Sequence, residues 1–310
     1  MTTPTIALVT ARAARGTDYD MPLLLAALRA AGADPREVDW DDAAVDWSRC
    51  DLALLRSTWD YFERLPQFLD WAQRVSKQTR LLNPLDVLQW NTDKHYLAHL
   101  ARAGVPVVPS RFVEPGEDAG AAVDDFLAGF PHPPSAPSPA SGGRDTGDVV
   151  VKPAVGAGSR DAQRHVRSAR AAMVAHVERL LDAGRSVLLQ PYLARVDEHG
   201  ETALLFFDGG FSHAIRKGPL LKRNEGPTAS LYAEESITPR VPSADEMDVA
   251  QRALAAIPFA QPLLYARVDL IRDDDGAPRL LELELVEPSV FLEHADGAAT
   301  RFAAAILRRA

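Results

Sequence analysis

One stretch, Val149-Val150-Val151-Lys152-Pro153-Ala154-Val155-Gly156-Ala157-Gly158-Ser159-Arg160, restricts what this chain can fold into more than any other. Three consecutive β-branched residues predict a buried strand, and Lys152 falls where that strand leaves the core. Gly156, Gly158 and Ser159 then form a turn with little side-chain bulk. In such a turn successive backbone N–H groups can face an anion while the lysine adds a full positive charge. The combination suits the phosphates of a nucleotide. It is neither a Gly-Lys-Ser/Thr phosphate loop nor a G-x-G-x-x-G fingerprint. The same residues also describe a plain hairpin turn, so the stretch alone leaves both readings open.

A chain of 310 residues can bury a large core and is expected to form two or three compact lobes. Hydrophobic residues at 46% and charged residues at 25% are those of an ordinary soluble globular protein. Lysine and arginine number 34 against 43 aspartates and glutamates, a formal charge of −9. That balance disfavours a nucleic-acid or acidic-membrane partner and still allows a local basic pocket. The single Cys50 excludes an intramolecular disulfide and a cysteine metal cluster. No apolar run is long enough to span a bilayer and the N-terminus lacks a signal pattern, so a cytoplasmic protein is expected.

Along the chain, Thr5 to Thr10 predicts a first strand. Asp20-Met21-Pro22 offers an N-cap with proline in the first turn; Met21, Leu24, Leu25 and Leu28 recur at helical spacing, and Gly32 ends the helix. Val38 and Leu52-Ala53-Leu54-Leu55 predict further strands, followed by a helix from about Pro66 to Ser76. This order implies a small open α/β sheet, where ligands bind beyond the carboxyl ends of the strands. One such end is Arg56-Ser57-Thr58-Trp59-Asp60-Tyr61, which combines an anion partner, hydroxyls and amphipathic aromatics able to hold a small polar substrate. A solvated loop with Trp59 packed on the surface is the plainer alternative. Asn91-Thr92-Asp93-Lys94 opens a helix carrying Leu97 and Leu100 and stopped at Gly104. Lys94 would then lie in a first helical turn, where a cation opposes the helix dipole and a docked anion would compensate.

Residues 130–148 are dense in Pro, Ser and Gly and read as a mobile surface insertion. A helix is expected over Ser168 to Ala183, then the strand Val187-Leu188-Leu189-Gln190. Ala203 to Phe207 and Phe211 to Ile215 flank Asp208-Gly209-Gly210, a strong hairpin signal. Pro219 to Ser236 reads as a polar loop, and Ser243 and Glu246 carry capping-box spacing. A last hairpin joins Leu263 to Ile271 and Arg279 to Leu285 through Asp273-Asp274-Asp275-Gly276. Arg267 and Asp269 are two apart, as are Glu282 and Glu284, which puts each pair on one strand face. Three carboxylates there would welcome a divalent cation, and hard oxygen ligands favour Mg²⁺ over zinc. A solvent-facing acidic strand paired with Arg267 and Arg279 is the plainer alternative.

Taken in order, Lys94, Val151-Lys152-Pro153 with its glycine loop, Gln190-Pro191-Tyr192-Leu193, Glu201, Arg216 and Asp269 with Glu282-Leu283-Glu284 resemble the ATP-grasp superfamily. Within it the chain looks closest to the glutathione synthetase and D-alanine–D-alanine ligase type. The resemblance implies an α/β fold in three parts. These are an N-terminal open α/β substrate-side domain over 1–90, a central lobe over 91–190 and a C-terminal catalytic lobe over 191–310. More narrowly, Arg56-Ser57-Thr58-Trp59-Asp60-Tyr61, Asp208-Gly209-Gly210-Phe211-Ser212-His213 and Glu284-Leu285-Val286-Glu287-Pro288 are similar to the D-cycloserine-forming cyclo-ligases, ATP-grasp enzymes of antibiotic biosynthesis.

Carried over residue by residue, the resemblance implies that Lys94 and Lys152 contact the nucleotide phosphates under a loop of Gly156, Gly158 and Ser159. Gln190, Tyr192 and Leu193 would form the hinge at the adenine edge. Glu201, with Asp197 competing, would bind the ribose. Arg216 would sit over the transferring phosphate and Arg267 at the reacting acyl group. Asp269, Glu282 and Glu284 would hold two Mg²⁺ ions, and Arg56, Ser57 and Trp59 would help hold an amino-acid-like substrate. Relatives usually place asparagine where Glu284 stands, and Thr202 and Ala203 replace the arginine that follows the ribose carboxylate in glutathione-synthetase-like sequences. The implied chemistry is ATP-dependent carboxylate–amine ligation through an acyl phosphate. The nucleophile lies either within the same molecule or in a second one; a nucleotide-binding module without catalysis is the third option. No general base is assigned, with His213 and His294 the candidates by chemistry. Dimers are common among such relatives, which leaves a homodimer open.

Overall fold

The computed structural model describes residues 3–129, 147–223, 226 and 236–310. The expected insertion lies outside them except for Gly147 and Asp148, as does much of the polar loop at 219–236.

The first sheet contains β1 (Thr5–Thr10), β2 (Asp34–Asp39), β3 (Leu52–Ser57) and β4 (Arg80–Leu82), with helices α1 (Asp20–Ala30) and α2 (Leu65–Val75) between them. Its strands are parallel in the order β2-β1-β3-β4. β3 is apolar and buried at every position up to Leu55, as a central parallel strand must be when helices cover both faces. α1 packs Met21, Leu24 and Leu28 on one face, and α2 packs Phe68 and Trp71 on the other with Trp40 and Trp47. The open α/β unit expected from the strand–helix–strand order is present.

Two short helices follow, α3 (Leu85–Asn91) and α4 (Tyr96–Arg102). The helix expected to open at Asn91 instead breaks there, and Lys94 lies in the turn between the two. Its backbone N–H donates to Ala154 O at 2.9 Å, so the turn is tied to the strand end carrying Lys152.

The second sheet comprises β5 (Arg111–Val113), β6 (Val149–Pro153), β7 (Gln163–His165) and β8 (Val187–Pro191), antiparallel in the order β5-β8-β6-β7. Helices α5 (Ala119–Gly129) and α6 (Arg170–Asp182) cover it, burying Val123, Phe126, Met173 and Val177 against Val149 and Val151. α5 and β7 were not expected; β7 is Gln-Arg-His, which has no apolar alternation to announce a strand.

After the short α7 (Val196–His199), the third sheet takes β9 (Glu201–Phe207), β10 (Gly210–Lys217), β11 (Ile237–Arg240), β12 (Tyr265–Arg272) and β13 (Pro278–Glu284), ordered β11-β10-β9-β12-β13. The β9–β10 turn sets Asp208 at φ 51° and Gly209 at φ 79°, the left-handed pair that a two-residue hairpin needs. Period-two alternation gives this sheet two distinct faces. Leu204, Val268 and Leu283 face α4 and α8 (Ala244–Ala255), whereas Leu205, Phe207 and Ile215 face α9 (Ala298–Leu307) and the first sheet. Ser243 caps α8 as its spacing predicts, its N–H donating to the Glu246 carboxylate at 2.9 Å. Phe302 of α9 stacks on Phe207 with centroids 4.3 Å apart and is fully buried. Truncating such a ring costs about 3–5 kcal/mol.

Candidate active site

Where the three sheets meet lies a cavity of about 230 Å³. The third sheet supplies its charged wall through strand register, with Asp269 buried just behind the lining residues. Arg267 stands opposite Glu284 and Asp269 opposite Glu282, and Glu201 pairs with Lys217 across β9 and β10. Directly paired residues share a face, so these six converge.

They are arranged as ion pairs. Lys94 Nζ lies 2.8 Å from Glu282 and Lys217 Nζ 2.9 Å from Asp269, with Lys217 also paired to Glu201. Arg267 Nε donates to Asp269 at 2.9 Å and its Nη2 binds Glu284. Burial works against charge on Asp269, yet Arg267 and Lys217 hold its carboxyl below the ordinary range. Lys94 and Lys152 do the same for Glu282. Glu284 goes the other way: burial, reinforced by Asp269 and Glu282, outweighs Arg267 and raises its pKa. Burial lowers the pKa of Lys152, with Lys94 and Lys217 adding to it and Glu282 opposing. Among the described residues Lys152 has no carboxylate at ion-pair distance. A buried cation of this kind is a ready receiver for an anionic ligand.

The glycine-rich stretch is the hairpin connection that its sequence allowed, joining antiparallel β6 and β7, and it also borders the cavity through Gly156, Gly158 and Ser159. Gly158 at φ 60° and Ser159 at φ 57° adopt left-handed backbone. Lys94 Nζ donates to Gly156 O at 3.1 Å, and Arg185 holds Val155 O and Asp161 from behind at 3.2 and 2.6 Å. At its tip Arg160 reaches Glu63 of the first unit at 3.0 Å.

Gln190, Tyr192 and Leu193 line the cavity at the end of β8. Gln190 Nε2 donates to Ser110 Oγ at 2.9 Å, and the Tyr192 N–H donates to Asp148 O at 2.8 Å. Arg164 stacks over the Tyr192 ring, 3.4 Å from its centroid. Of the two competing carboxylates, Glu201 lines the cavity, while Asp197 accepts from the Tyr192 hydroxyl and sits 3.6 Å from Arg164.

Several expected residues lie elsewhere. Arg216 falls on the opposite face of β10, paired with Thr202, and its guanidinium binds the carbonyls of His199 and Glu198 at 2.9 and 3.0 Å. Its neighbour Lys217 is the cation on the cavity face, and alternation from Ile215 was the signal that marked it. Gly200, beside these carbonyls, has no room for a side chain: a Cβ there would stand 2.6 Å from Lys217 O. Arg56 and Ser57 are fully buried and do not line the cavity. Arg56 donates to Pro288 O at 3.0 Å and Ser57 Oγ bonds Thr10 Oγ1 at 2.8 Å. From that segment Trp59 reaches the cavity, joined by Tyr61. His213 is structural, its Nε2 donating to Val290 O at 2.9 Å. The expected Arg279 partnership is with Asp273, at 2.8 Å, rather than with the three carboxylates. Glu287, in the Glu284-Leu285-Val286-Glu287-Pro288 stretch, also lines the cavity.

The acidic wall fits Mg²⁺ by donor chemistry, since every candidate ligand is a carboxylate oxygen. Among the described residues no three His, Cys, Asp or Glu side chains stand close enough to form a metal cluster. Cations hold the carboxylates instead: Asp269 by Arg267 and Lys217, Glu282 by Lys94, and Glu284 by Arg267. Phosphates drawing those cations away would free oxygens for metal.

No helix among the described residues is long and apolar enough to cross a membrane. A family model described as the D-cycloserine synthetase DcsG, N-terminal domain, matches residues 6–83. The chain is 44% identical over 313 residues to the cycloserine biosynthesis protein DcsG of Streptomyces lavendulae, covering 98% of each. The crystal structure of D-cycloserine synthetase DcsG superposes with a TM-score of 0.88 at 44% identity, covering 98% of this chain and 99% of that one. The ATP-grasp ligase PsnB, solved with a phosphomimetic variant of its minimal precursor, Mg and ADP, superposes with a TM-score of 0.62 at 20% identity. That match covers 100% of this chain and 99% of PsnB and is a likeness of fold.

Proposed function

The chain belongs to the DcsG family of ATP-grasp ligases, enzymes that form C–N bonds, and we propose that it closes a ring within a single amino-acid-like substrate to give D-cycloserine. The substrate in this reading is O-ureido-D-serine. The observation that carries it is the cavity itself: a lysine pair and a glycine loop face a wall of registered carboxylates, and Arg267 stands at the junction.

A carboxylate is a poor electrophile until the γ-phosphoryl group of ATP is transferred to it. Lys94 and Lys152 would hold the phosphates, the loop at 156–159 would close over them, and Glu201 would hold the ribose. Lys217, on the cavity face of β10, would meet the transferring phosphate in place of Arg216. Asp269, Glu282 and Glu284 would hold Mg²⁺, which would supply further neutralisation of the transferring group. Arg267 would steady the charge that develops on the acyl oxygens. The substituted nitrogen of the same molecule then attacks the acyl carbon and gives up its proton; the C–N bond forms, the C–O bond to phosphate breaks and phosphate leaves. One water then cleaves the carbamoyl group from that nitrogen, releasing it as CO2 and ammonia and leaving the D-cycloserine ring. Closing the loop keeps water from hydrolysing the acyl phosphate first. We further propose that the three sheets mark the substrate-side, central and catalytic domains, and that the enzyme works in the cytoplasm.

The test is Mg²⁺-dependent ADP release, with amino acids supplied singly and in pairs. Release with O-ureido-D-serine alone, with a cyclised product by mass, supports the proposal. Release only with pairs would make the enzyme an intermolecular ligase.

A further inference from the structure

The cavity holds one carboxylate that the proposed reaction leaves unused. Glu287 is 9% exposed and lines the cavity beside Trp59, Tyr61 and Phe291. Glu201, Asp269, Glu282 and Glu284 each have a lysine or arginine partner. Among the described residues the Glu287 carboxylate has neither an ion pair nor a hydrogen bond. Burial, with Glu284 adding to it, raises its pKa to about 8. Charging a nearly buried carboxyl that has no partner is costly, and a ligand cation would offset that cost and favour the charged form.

Its position is fixed from several sides. Trp59 Nε1 donates to Glu287 O at 3.1 Å, Arg56 to Pro288 O at 3.0 Å and Arg267 to Ser289 O at 3.0 Å. Asp20 accepts from the N–H groups of Val290, Phe291 and Leu292 at 2.7, 3.1 and 2.7 Å. The segment is therefore organised before anything binds, which favours its use in recognition.

We infer that Glu287 receives the α-ammonium group of the amino-acid substrate, with Trp59, Tyr61 and Phe291 walling that end of the cavity. This rests on the proposed function and extends it to substrate selection. The aromatic neighbours suit an ammonium ion, attracted to ring faces, better than a hard divalent ion that needs several oxygens. Arg267 contacts the same segment and stands where the acyl group would react, so ammonium and carboxylate of one amino acid could meet Glu287 and Arg267 together.

The experiment compares O-ureido-D-serine with its des-amino analogue, binding each to wild type and to Glu287→Gln by calorimetry with Mg²⁺ and a non-hydrolysable ATP analogue. Wild type should prefer the amino compound by about 10-fold to 100-fold, the scale of a charged hydrogen bond. Glu287→Gln should erase that preference and leave ATP-analogue affinity within about twofold. If the preference survives in Glu287→Gln while wild type turns over O-ureido-D-serine, the inference fails and the ligase reading stands. If wild type neither binds nor turns over O-ureido-D-serine, both fall together.

Discussion

Lys152 and Arg56 are each the cation near the carboxyl end of an apolar strand, β6 and β3, and the fold treats them in opposite ways. Lys152 is followed by a loop whose small residues leave its ammonium open to the cavity. Arg56 is sealed under the segment after β13, with Asp20 3.6 Å away and Phe302 beneath its guanidinium at 5.7 Å. Its Nε and Nη1 have no hydrogen-bond partner among the described residues. A cation at a strand end is therefore left open to a cavity or sealed as a structural clamp according to what covers that end. Lys152 is exposed to ligand by glycine and serine, whereas Arg56 is locked by residues more than 200 positions later in the chain.

Two substitutions separate the two roles, and a pH profile probes burial elsewhere in the fold. Lys152→Met should lower kcat/KM for ATP by about 100-fold or more, because under the proposed function it deletes a cation that would meet the developing phosphate charge. Its thermal midpoint should not fall, since a buried charge without an anionic partner is lost. A melt much below wild type would make Lys152 structural too. Arg56→Met should reverse this pattern. Removing one partner from a buried charged pair costs about 3–5 kcal/mol, here by leaving Asp20 with three backbone N–H donors and no cation, while the folded fraction keeps its affinity for ATP. Denaturant unfolding and nucleotide titration on one sample check both halves, and loss of ATP affinity without destabilisation would break the contrast. The third perturbation is pH. Burial drives His213 down to about 4, below its ordinary 6.5, so the unfolded chain takes up that proton first. Stability contributed in this way is full above about pH 6.5 and is lost as pH falls toward 4, at up to about 1.4 kcal/mol per pH unit. His213→Asn should flatten that part of the profile, with the remaining slope including His176, also held near 4.

The same contrast shows what could be read before the structure. The first sheet was legible because its apolar runs alternate with a helical repeat, and the β9–β10 hairpin because Asp-Gly-Gly specifies its turn. The charged wall followed from two-residue spacing on β12 and β13, which register then aligned. The fates of Arg56 and Ser57 were hidden because strand ends look alike until a distant segment covers one of them. Arg216 faces away from the cavity and Lys217 toward it, a difference of parity that a residue-by-residue resemblance does not carry. β7 was invisible because its buried members, Arg164 and His165, are polar and find partners in Asp148 and His176. Glu287 could be seen as a letter in a motif, but its lack of a partner is a fact of packing.

The most direct test of the central claim, ATP-driven ring closure through an acyl phosphate within one substrate, follows oxygen. O-ureido-D-serine labelled with ¹⁸O in its carboxylate would be turned over with Mg²⁺ and ATP and no second amine. The account predicts ADP and a cyclised product in equal amounts, with the released phosphate carrying one labelled oxygen from the substrate. Unlabelled phosphate alongside cyclised product, or no product until a second amine is added, would contradict it.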